Sequence, residues 1–119
     1  DITSQNLKPS VTPETSVPEV IVEISEKMLG VTAVIDGEKI LGIITDGDIR
    51  RMLRNNDEFM HLKAKDIMSR NPKTINHDAM AIDALDMLEE NKISQLIAVE
   101  NNKYCGVVHI HNLIREGIL

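Results

Sequence analysis

The alternation of apolar and polar positions predicts a helix near the start of the chain. A potential N-cap, Ser16, is followed by Pro18 in the first turn and by Glu19, which can reach back to the cap. Apolar residues then recur at helical spacing and give the helix one apolar face, formed by Val17, Val20, Ile21, Ile24 and Met28. We expect this helix to end near Gly30.

A strand is predicted before this first helix along the chain, and a hairpin and a short helix are predicted after it. A strand is expected near residues 10–12. Residues 32–35 and 40–44 are apolar runs of strand length on either side of Asp36-Gly37, which is a hairpin signal. A short helix should follow from about Asp46 to Arg54 and end at residues 55–57.

The same order of elements is predicted again farther along the chain. A strand near residues 73–75 precedes a helix that ends near Asn91, with an apolar face formed by Ala81, Ala84, Leu85 and Leu88. Strands at 96–99 and 104–110 are joined by a turn at Asn101-Asn102. A last helix is expected from about His111 to Glu116, with Gly117 as its stop.

The two halves are an internal sequence repeat. Residues 42–51 recur in altered form as residues 106–115, at an offset of 64 residues and without a gap. Each copy is too short to bury a core alone, so we expect the two to pack together as one module. The predicted fold class is α+β: two strand–helix–strand–strand–helix units, packed with pseudo-two-fold symmetry around two equivalent clefts. We assign residues 1–8 to a linker remnant, 9–60 to the first repeat and 61–119 to the second.

Composition excludes several classes of partner. The 119 residues carry a net charge of −6, and their aromatics are only Phe59 and Tyr104, which argues against binding of a nucleic-acid polymer. Cys105 is the single cysteine, so a reducing cytoplasmic location is the expectation. No apolar run approaches the length of a membrane span, and no signal peptide is visible. The polar start at Asp1 suggests a fragment that has lost an N-terminal part.

The segment Thr45-Asp46-Gly47-Asp48 carries the chemistry of the first repeat. Thr45 and Asp48 sit where a strand turns into a helix, and Asp48 could accept hydrogen bonds from two hydroxyls of a ribose. Arg50 and Arg51, one turn on, could balance a phosphate. The same Thr-x-x-Asp spacing is also a capping box that needs no ligand, and the two interpretations are compatible.

The equivalent segment of the second repeat has two histidines, His109 and His111. A metal site would need a further ligand such as Cys105 or His77, so polar residues that line a cleft or cap a helix are favoured, and no metal is expected. The two histidines could equally bind a phosphate or a carboxylate. Cys105 falls within a predicted strand and is better explained by packing than by nucleophilic catalysis. We find no catalytic constellation and predict neither a catalytic residue nor a cofactor.

The two copies resemble cystathionine-β-synthase (CBS) domains, and together they resemble a CBS pair. The motifs that carry this resemblance are Asp66-Ile67-Met68 and the segment from Gly42 to Asp48. Three stretches, residues 29–33, 45–51 and 109–117, resemble the C-terminal CBS pair of bacterial D-arabinose-5-phosphate isomerases. The resemblance implies a parent enzyme with an N-terminal sugar-isomerase domain that interconverts ribulose 5-phosphate and arabinose 5-phosphate for synthesis of the lipopolysaccharide sugar Kdo.

The resemblance also implies nucleotide binding in clefts between the copies. It assigns one cleft to both copies, with candidate residues Thr45, Asp48, Arg50, Arg51, Lys73, Thr74, Ile75, Ser94, Gln95 and Ile97. It assigns the second cleft to His109, His111, Asn112, Val11, Gly30, Val31 and Ala33. His109 and Asn112 replace Thr45 and Asp48 of the first copy, which makes the second cleft a weaker candidate for a ribose.

Three functions follow as hypotheses. The first is a regulatory module that senses a nucleotide or nucleotide-sugar, with CMP-Kdo, AMP and ATP as candidate effectors. The second is a structural module that dimerises without sensing a ligand, and the third is an adenine-nucleotide-binding pair of a different parent. In all cases we expect a homodimer of the fragment, a higher homo-oligomer of the parent and no membrane partner.

Overall fold

The computed structural model describes residues 8–55 and 58–115. The chain divides into two compact units. The first unit runs from Pro9 to Pro72, and the second comprises the chain from Lys73 onward together with Lys8. The described part of the second unit ends at Arg115.

The first unit contains a four-stranded sheet with order β1-β2-β3-β4. Strands β1 and β2 are parallel, whereas β2–β3 and β3–β4 are antiparallel. Its elements in chain order are β1 (Ser10–Val11), α1 (Val17–Lys27), β2 (Val31–Asp36), β3 (Lys39–Thr45), α2 (Asp46–Asn55), α3 (Ala64–Ile67) and β4 (Ser69–Arg70).

The second unit contains a three-stranded sheet with order β5-β6-β7. Strands β5 and β6 are parallel, and β6 and β7 are antiparallel. Its elements are β5 (Thr74–Asn76), α4 (Ala81–Asn91), β6 (Gln95–Glu100), β7 (Lys103–His109) and α5 (Ile110–Arg115).

The predicted α+β repeat is confirmed, and the two copies share irregularities that were not predicted. The register of β2 on β3 reappears in β6 on β7 at the same offset, including the bulge after Val34 and after Ala98. The C-caps of α1 and α4, Met28 and Lys92, both adopt the left-handed conformation, with φ of 58° and 54°. The last helix begins one residue earlier than expected. Its predicted end at Glu116 and Gly117 lies outside the described residues.

Helix α1 shows why the sequence begins a helix at Ser16. The Ser16 hydroxyl accepts a hydrogen bond from the Glu19 backbone N–H at 3.4 Å, which satisfies one of the free donors of the first turn. The buried face consists of Val17, Val20 and Ile24. The assignment of Met28 to this face was wrong: its left-handed cap conformation turns the chain away from the helix, and its side chain is 85% exposed.

The buried apolar residues form two aliphatic clusters, one in each unit. In the first unit the fully packed residues are Val11, Val20, Ile24, Val34, Ile44 and Ala64. In the second unit they are Ile75, Ala84, Leu85, Leu88, Leu96, Ala98, Val108 and Leu113. Both cores pack a helix on a sheet, as expected for α+β units that bury one face of each element.

The segment between α2 and β5, here called the connector, contains two elements that were not predicted, α3 and β4. Backbone hydrogen bonds dock the connector on the turn before α1, from Val17 N–H to the Leu62 carbonyl at 3.0 Å and from Ala64 N–H to the Thr15 carbonyl at 2.8 Å. The exposed Glu14 pairs with Lys63 and Lys65, whose ammonium groups lower the pKa of this carboxyl to about 2. The connector therefore belongs to the first unit by packing, while the repeat boundary between residues 60 and 61 stays a prediction.

The described helices are short. Within residues 8–55 and 58–115, none is both long enough and apolar enough to cross a bilayer.

Candidate functional site

The strand-to-helix junction of the first unit buries a carboxylate. Thr45 is the last residue of β3, and Asp48 lies in the first turn of α2. Asp48 is only 8% exposed. Because a buried charge is costly unless it is hydrogen-bonded and paired, the neighbours of this carboxylate decide what it does.

Thr45 and Asp48 form a reciprocal capping box. The Asp48 N–H donates to the Thr45 hydroxyl oxygen at 3.2 Å, and the Thr45 N–H donates to Asp48 Oδ2 at 2.9 Å. The Thr45 hydroxyl also donates to Oδ2, at 3.2 Å. The capping interpretation of this motif is therefore confirmed in this structure.

Two further side chains complete the surroundings of Asp48. Arg51, one turn along α2, donates from Nη2 to Asp48 Oδ1. The Ser69 hydroxyl, on β4, lies 3.3 Å from Oδ1 and 3.4 Å from Oδ2. Sequence reasoning missed Ser69, which lies 21 residues away along the chain. Both carboxylate oxygens are thus occupied by donors of the protein itself.

Gly42 is the residue that brings Ser69 to the site. Gly42 pairs with Arg70, and Ile43 pairs with Ser69, in the antiparallel ladder between β3 and β4. A Cβ atom at Gly42 would lie 2.5 Å from the Ser69 carbonyl oxygen, closer than real Cβ contacts allow. The close approach of β4 therefore requires glycine at this position.

Gly47 does not have the same steric role. A Cβ atom there would lie 3.4 Å from Arg51 Nη1 and 3.6 Å from the Thr45 hydroxyl, which is ordinary van der Waals contact.

An open pocket of about 320 Å³ lies beside Asp48 within the first unit. Helix α2, the following loop and α3 form its walls, with lining residues Asp48, Arg51, Met52, Asn55, Leu62, Asp66 and Ile67. Asp66 accepts the Lys63 N–H at 2.8 Å and so caps α3. Arg50, the other predicted phosphate partner, is exposed on α2.

The remaining candidates for the first cleft belong to the second unit. Thr74 pairs with Ile97 in the β5–β6 ladder, and the Ile97 N–H donates to the Lys73 carbonyl at 3.3 Å. Thr74 is exposed, whereas Ile97 is buried and Ile75 is part of the core. Gln95 pairs with His109 across β6 and β7, and Ser94 lies just before β6.

The second motif caps its helix differently from the first. The His111 N–H donates to His109 Nδ1 at 3.1 Å, so His109 takes the place of Thr45 as acceptor at the helix start. The two imidazoles are stacked, with ring centroids 4.7 Å apart. Burial first, and the neighbouring His111 second, lower the pKa of His109. Asn112 lies in α5, but its side chain lies outside the described part of the structure.

The first-unit candidates for the second cleft are mostly well packed. Val11, Val31 and Ala33 are 8%, 1% and 0% exposed, on β1 and β2. Gly30 adopts φ of 72°, and its carbonyl accepts the Asp46 N–H at 3.0 Å. Ser94 and Ile110 repeat this contact at 2.9 Å in the second unit.

The metal alternative finds no support among the described side chains. No group of three or more His, Cys, Asp or Glu residues is arranged to hold a metal ion in residues 8–55 and 58–115. His77 Nε2 lies 3.5 Å from a Glu100 carboxylate oxygen. Cys105 packs against the second core, and burial raises the pKa of its thiol, as expected for a structural cysteine.

Both copies of the repeat match a known protein family. A family model described as CBS domain matches residues 1–55 and again residues 64–118. The chain belongs to the CBS-domain family.

The relatives of this CBS pair include longer enzymes. It is 34% identical over 112 residues to arabinose 5-phosphate isomerase KdsD of Yersinia pestis, covering 93% of this chain and 34% of that protein. KdsD of Francisella tularensis is 38% identical over 108 residues, which cover 90% of this chain and 33% of that protein. The chain thus spans about a third of the length of these curated relatives.

Solved structures show the same fold. CBSX2 of Arabidopsis thaliana, crystallised in complex with AMP, superposes with a TM-score of 0.78 at 25% sequence identity. The superposition covers 98% of this chain and 90% of that structure. The resemblance to CBS pairs that the sequence motifs indicated is confirmed.

The capping histidine of this CBS pair predicts a pH-dependent stability. Nδ1 accepts a hydrogen bond only in neutral imidazole, and the pKa of His109 is lowered from its ordinary 6.5. Because burial and the neighbouring His111 lower this pKa, the stability that neutral His109 contributes is fully present above pH 6.5 and is lost as pH falls through the window between 6.5 and the lower folded-state pKa.

Urea unfolding between about pH 7.5 and pH 5.5 measures this slope. His109→Asn, which caps without titrating, should flatten the slope. Equal slopes for wild type and His109→Asn would contradict this role for His109.

Proposed function

We propose that this CBS pair is the ligand-sensing regulatory part of a D-arabinose-5-phosphate isomerase. The support is its similarity to KdsD proteins, of which it matches about a third of the length. On this proposal the parent enzyme is cytoplasmic and interconverts ribulose 5-phosphate and arabinose 5-phosphate for lipopolysaccharide synthesis. The segment described here carries regulation and no isomerase turnover.

The observation that carries the sensing function is the buried carboxylate of Asp48. It lies at a strand-to-helix junction among hydroxyl and guanidinium groups, where the vicinal hydroxyls of a ribose could take over its hydrogen bonds. A CBS pair of similar structure was crystallised with AMP. We therefore propose a nucleotide or nucleotide-sugar effector, with CMP-Kdo, AMP and ATP as candidates.

Thr45 and Asp48 bind the ribose in this proposal, and Arg50 and Arg51 balance a phosphate. The candidates in the second unit stay predictions from the resemblance: Thr74, Ile75, Ser94, Gln95 and Ile97, and, for a secondary site, His109, His111 and Asn112. An effector changes the parent enzyme only if it binds two conformations of this pair with different affinities.

Removal of one ribose hydroxyl tests the role of the carboxylate. Calorimetric titration should show AMP binding more tightly than 2′-deoxy-AMP, since the deoxy ligand loses a charge-assisted hydrogen bond. Such a bond is worth roughly 1.5–3 kcal/mol, which corresponds to about 10- to 150-fold in affinity. CMP-Kdo and ATP are titrated in parallel. Equal affinities for AMP and 2′-deoxy-AMP would exclude the diol contact, and no binding of any of the three effectors would exclude the sensing function.

The second candidate function is a structural module that dimerises and positions catalytic domains. The observation that favours it is the saturation of Asp48 by its own cap, which is sufficient to explain the motif without a ligand.

We propose a homodimer of this fragment under either function, because closed two-fold assemblies are common among such chains. Sedimentation showing only monomer at roughly tens of micromolar would contradict the dimer.

A further inference from the structure

The Ser69 hydroxyl contacts the carboxylate that the proposed effector would use. The Ser69 hydroxyl is placed between both oxygens of Asp48, at 3.3 and 3.4 Å. We propose that a ribose diol displaces this hydroxyl, so that Ser69 sets the affinity of the effector and couples binding to the β4 edge of the sheet. This inference rests on the proposed sensing function.

The two capping hydrogen bonds between Thr45 and Asp48 stay in place when the diol binds. They satisfy two N–H groups that have no acceptor within the helix, so breaking them would uncap α2. Ser69 is exposed, and its contact with Asp48 is longer than the 2.9 Å bond from the Thr45 N–H. The serine hydroxyl therefore leaves at lower cost than the capping groups.

Arg51 has an alternative binding partner when the ribose diol binds Asp48. Its side chain is 65% exposed, compared with 7% for Asp48, so the guanidinium remains close to solvent while it pairs. A phosphate of the effector offers it a second anion, and the open pocket that it lines offers it room. Ser69 gains no comparable contact with the ligand, and its exposed hydroxyl is hydrated by solvent when its carboxylate acceptor is taken.

Displacement of Ser69 has a structural consequence. β4 consists of two residues, paired with β3 only at Gly42 and Ile43. A strand this short depends on its side-chain contacts as well as on its ladder. Loss of the Ser69–Asp48 contact therefore weakens β4 and, with it, the attachment of the connector that leads from α3 into the second repeat.

Ser69→Ala tests whether Ser69 competes with AMP for the Asp48 carboxylate or contacts AMP directly. Calorimetric titration with AMP should show about two- to tenfold tighter binding by Ser69→Ala than by wild type, because a net hydrogen bond no longer has to be broken. Ser69→Thr keeps the hydroxyl and should bind like wild type. Ser25→Ala, an exposed serine of α1, is the matched control for the mutation itself.

A second measurement uses the unmodified protein in case the variant fails to fold. Addition of AMP should accelerate amide hydrogen exchange at residues 69–70 and leave β2 protected. Unchanged or weaker AMP binding by Ser69→Ala, or greater protection of β4 with AMP, would overturn the role of Ser69 alone. Absence of any AMP binding by wild type would overturn this role together with adenine-nucleotide sensing.

Discussion

Gly42→Ala is expected to lower the free energy of unfolding by about 1–3 kcal/mol, the usual cost of overpacking a well-packed site. The new Cβ would meet a backbone atom, the Ser69 carbonyl oxygen at 2.5 Å, which cannot rotate away as a side chain could. Met68 Sδ and Cγ, at 3.1 and 3.3 Å, can adjust, but β4 itself must move. Urea unfolding measures the change, and hydrogen exchange at residues 69–70 should show β4 as its origin.

Gly47→Ala is the matched control for this experiment. It adds the same methyl group a few residues along, where the nearest atom lies at 3.4 Å and the residue is helical. Alanine is preferred over glycine in helices by about 1 kcal/mol, so this variant should be neutral or slightly more stable. Equal destabilisation by the two substitutions would show that the approach of β4 does not depend on Gly42.

The sequence repeat was sufficient to predict most of the fold. Apolar spacing placed α1, α4 and the two hairpins to within a few residues, because these elements are long enough to show a period. The offset between the copies also holds for the strand register, which was not predicted: equivalent bulges follow Val34 and Ala98. Met28 shows the limit of this method: an apolar residue at the right spacing became an exposed cap when the helix ended before it.

The connector could not be predicted in the same way. Strand β4 has two residues and α3 has four, too few for any periodic pattern. Their position follows from tertiary contacts, such as Lys63 and Lys65 with Glu14, which are 49 and 51 residues apart in sequence. One signal did exist: a glycine inside a strand, Gly42, indicates close approach of another backbone.

Only the contacts between residues that are close in sequence could be predicted for the candidate site. Thr45 and Asp48 are three residues apart, so their pairing follows from helix geometry. Ser69 reaches the same carboxylate only because β4 pairs with β3. The sequence spacing also left two roles open for Asp48, a contact with a ribose and a helix cap, and the structure shows the cap.

Asp48→Ala is expected to separate the capping role of this carboxylate from its proposed role in binding a ribose. Loss of the capping box should lower the free energy of unfolding by about 1 kcal/mol, and loss of the acceptor for Ser69 should add a comparable amount. Asp46→Ala is the matched control: it removes a carboxylate from the same helical turn, but from an exposed side chain. A similar loss of stability in both variants would indicate a helix-dipole effect and not a specific contact.

The affinity for AMP should respond to Asp48→Ala more strongly than the stability does. The carboxylate could accept from two ribose hydroxyls, so about a 10- to 150-fold loss is expected, while Asn112→Ala should cost less. Asp48→Asn keeps the shape and one oxygen acceptor and should fall between wild type and alanine. If Asp48→Ala lowers the melting temperature but leaves AMP affinity unchanged, the motif is a cap alone, and Ser69 has no ligand to compete with. If His111→Ala or Asn112→Ala abolishes binding instead, the effector occupies the histidine site, and the sequence asymmetry between the repeats was interpreted in the wrong direction.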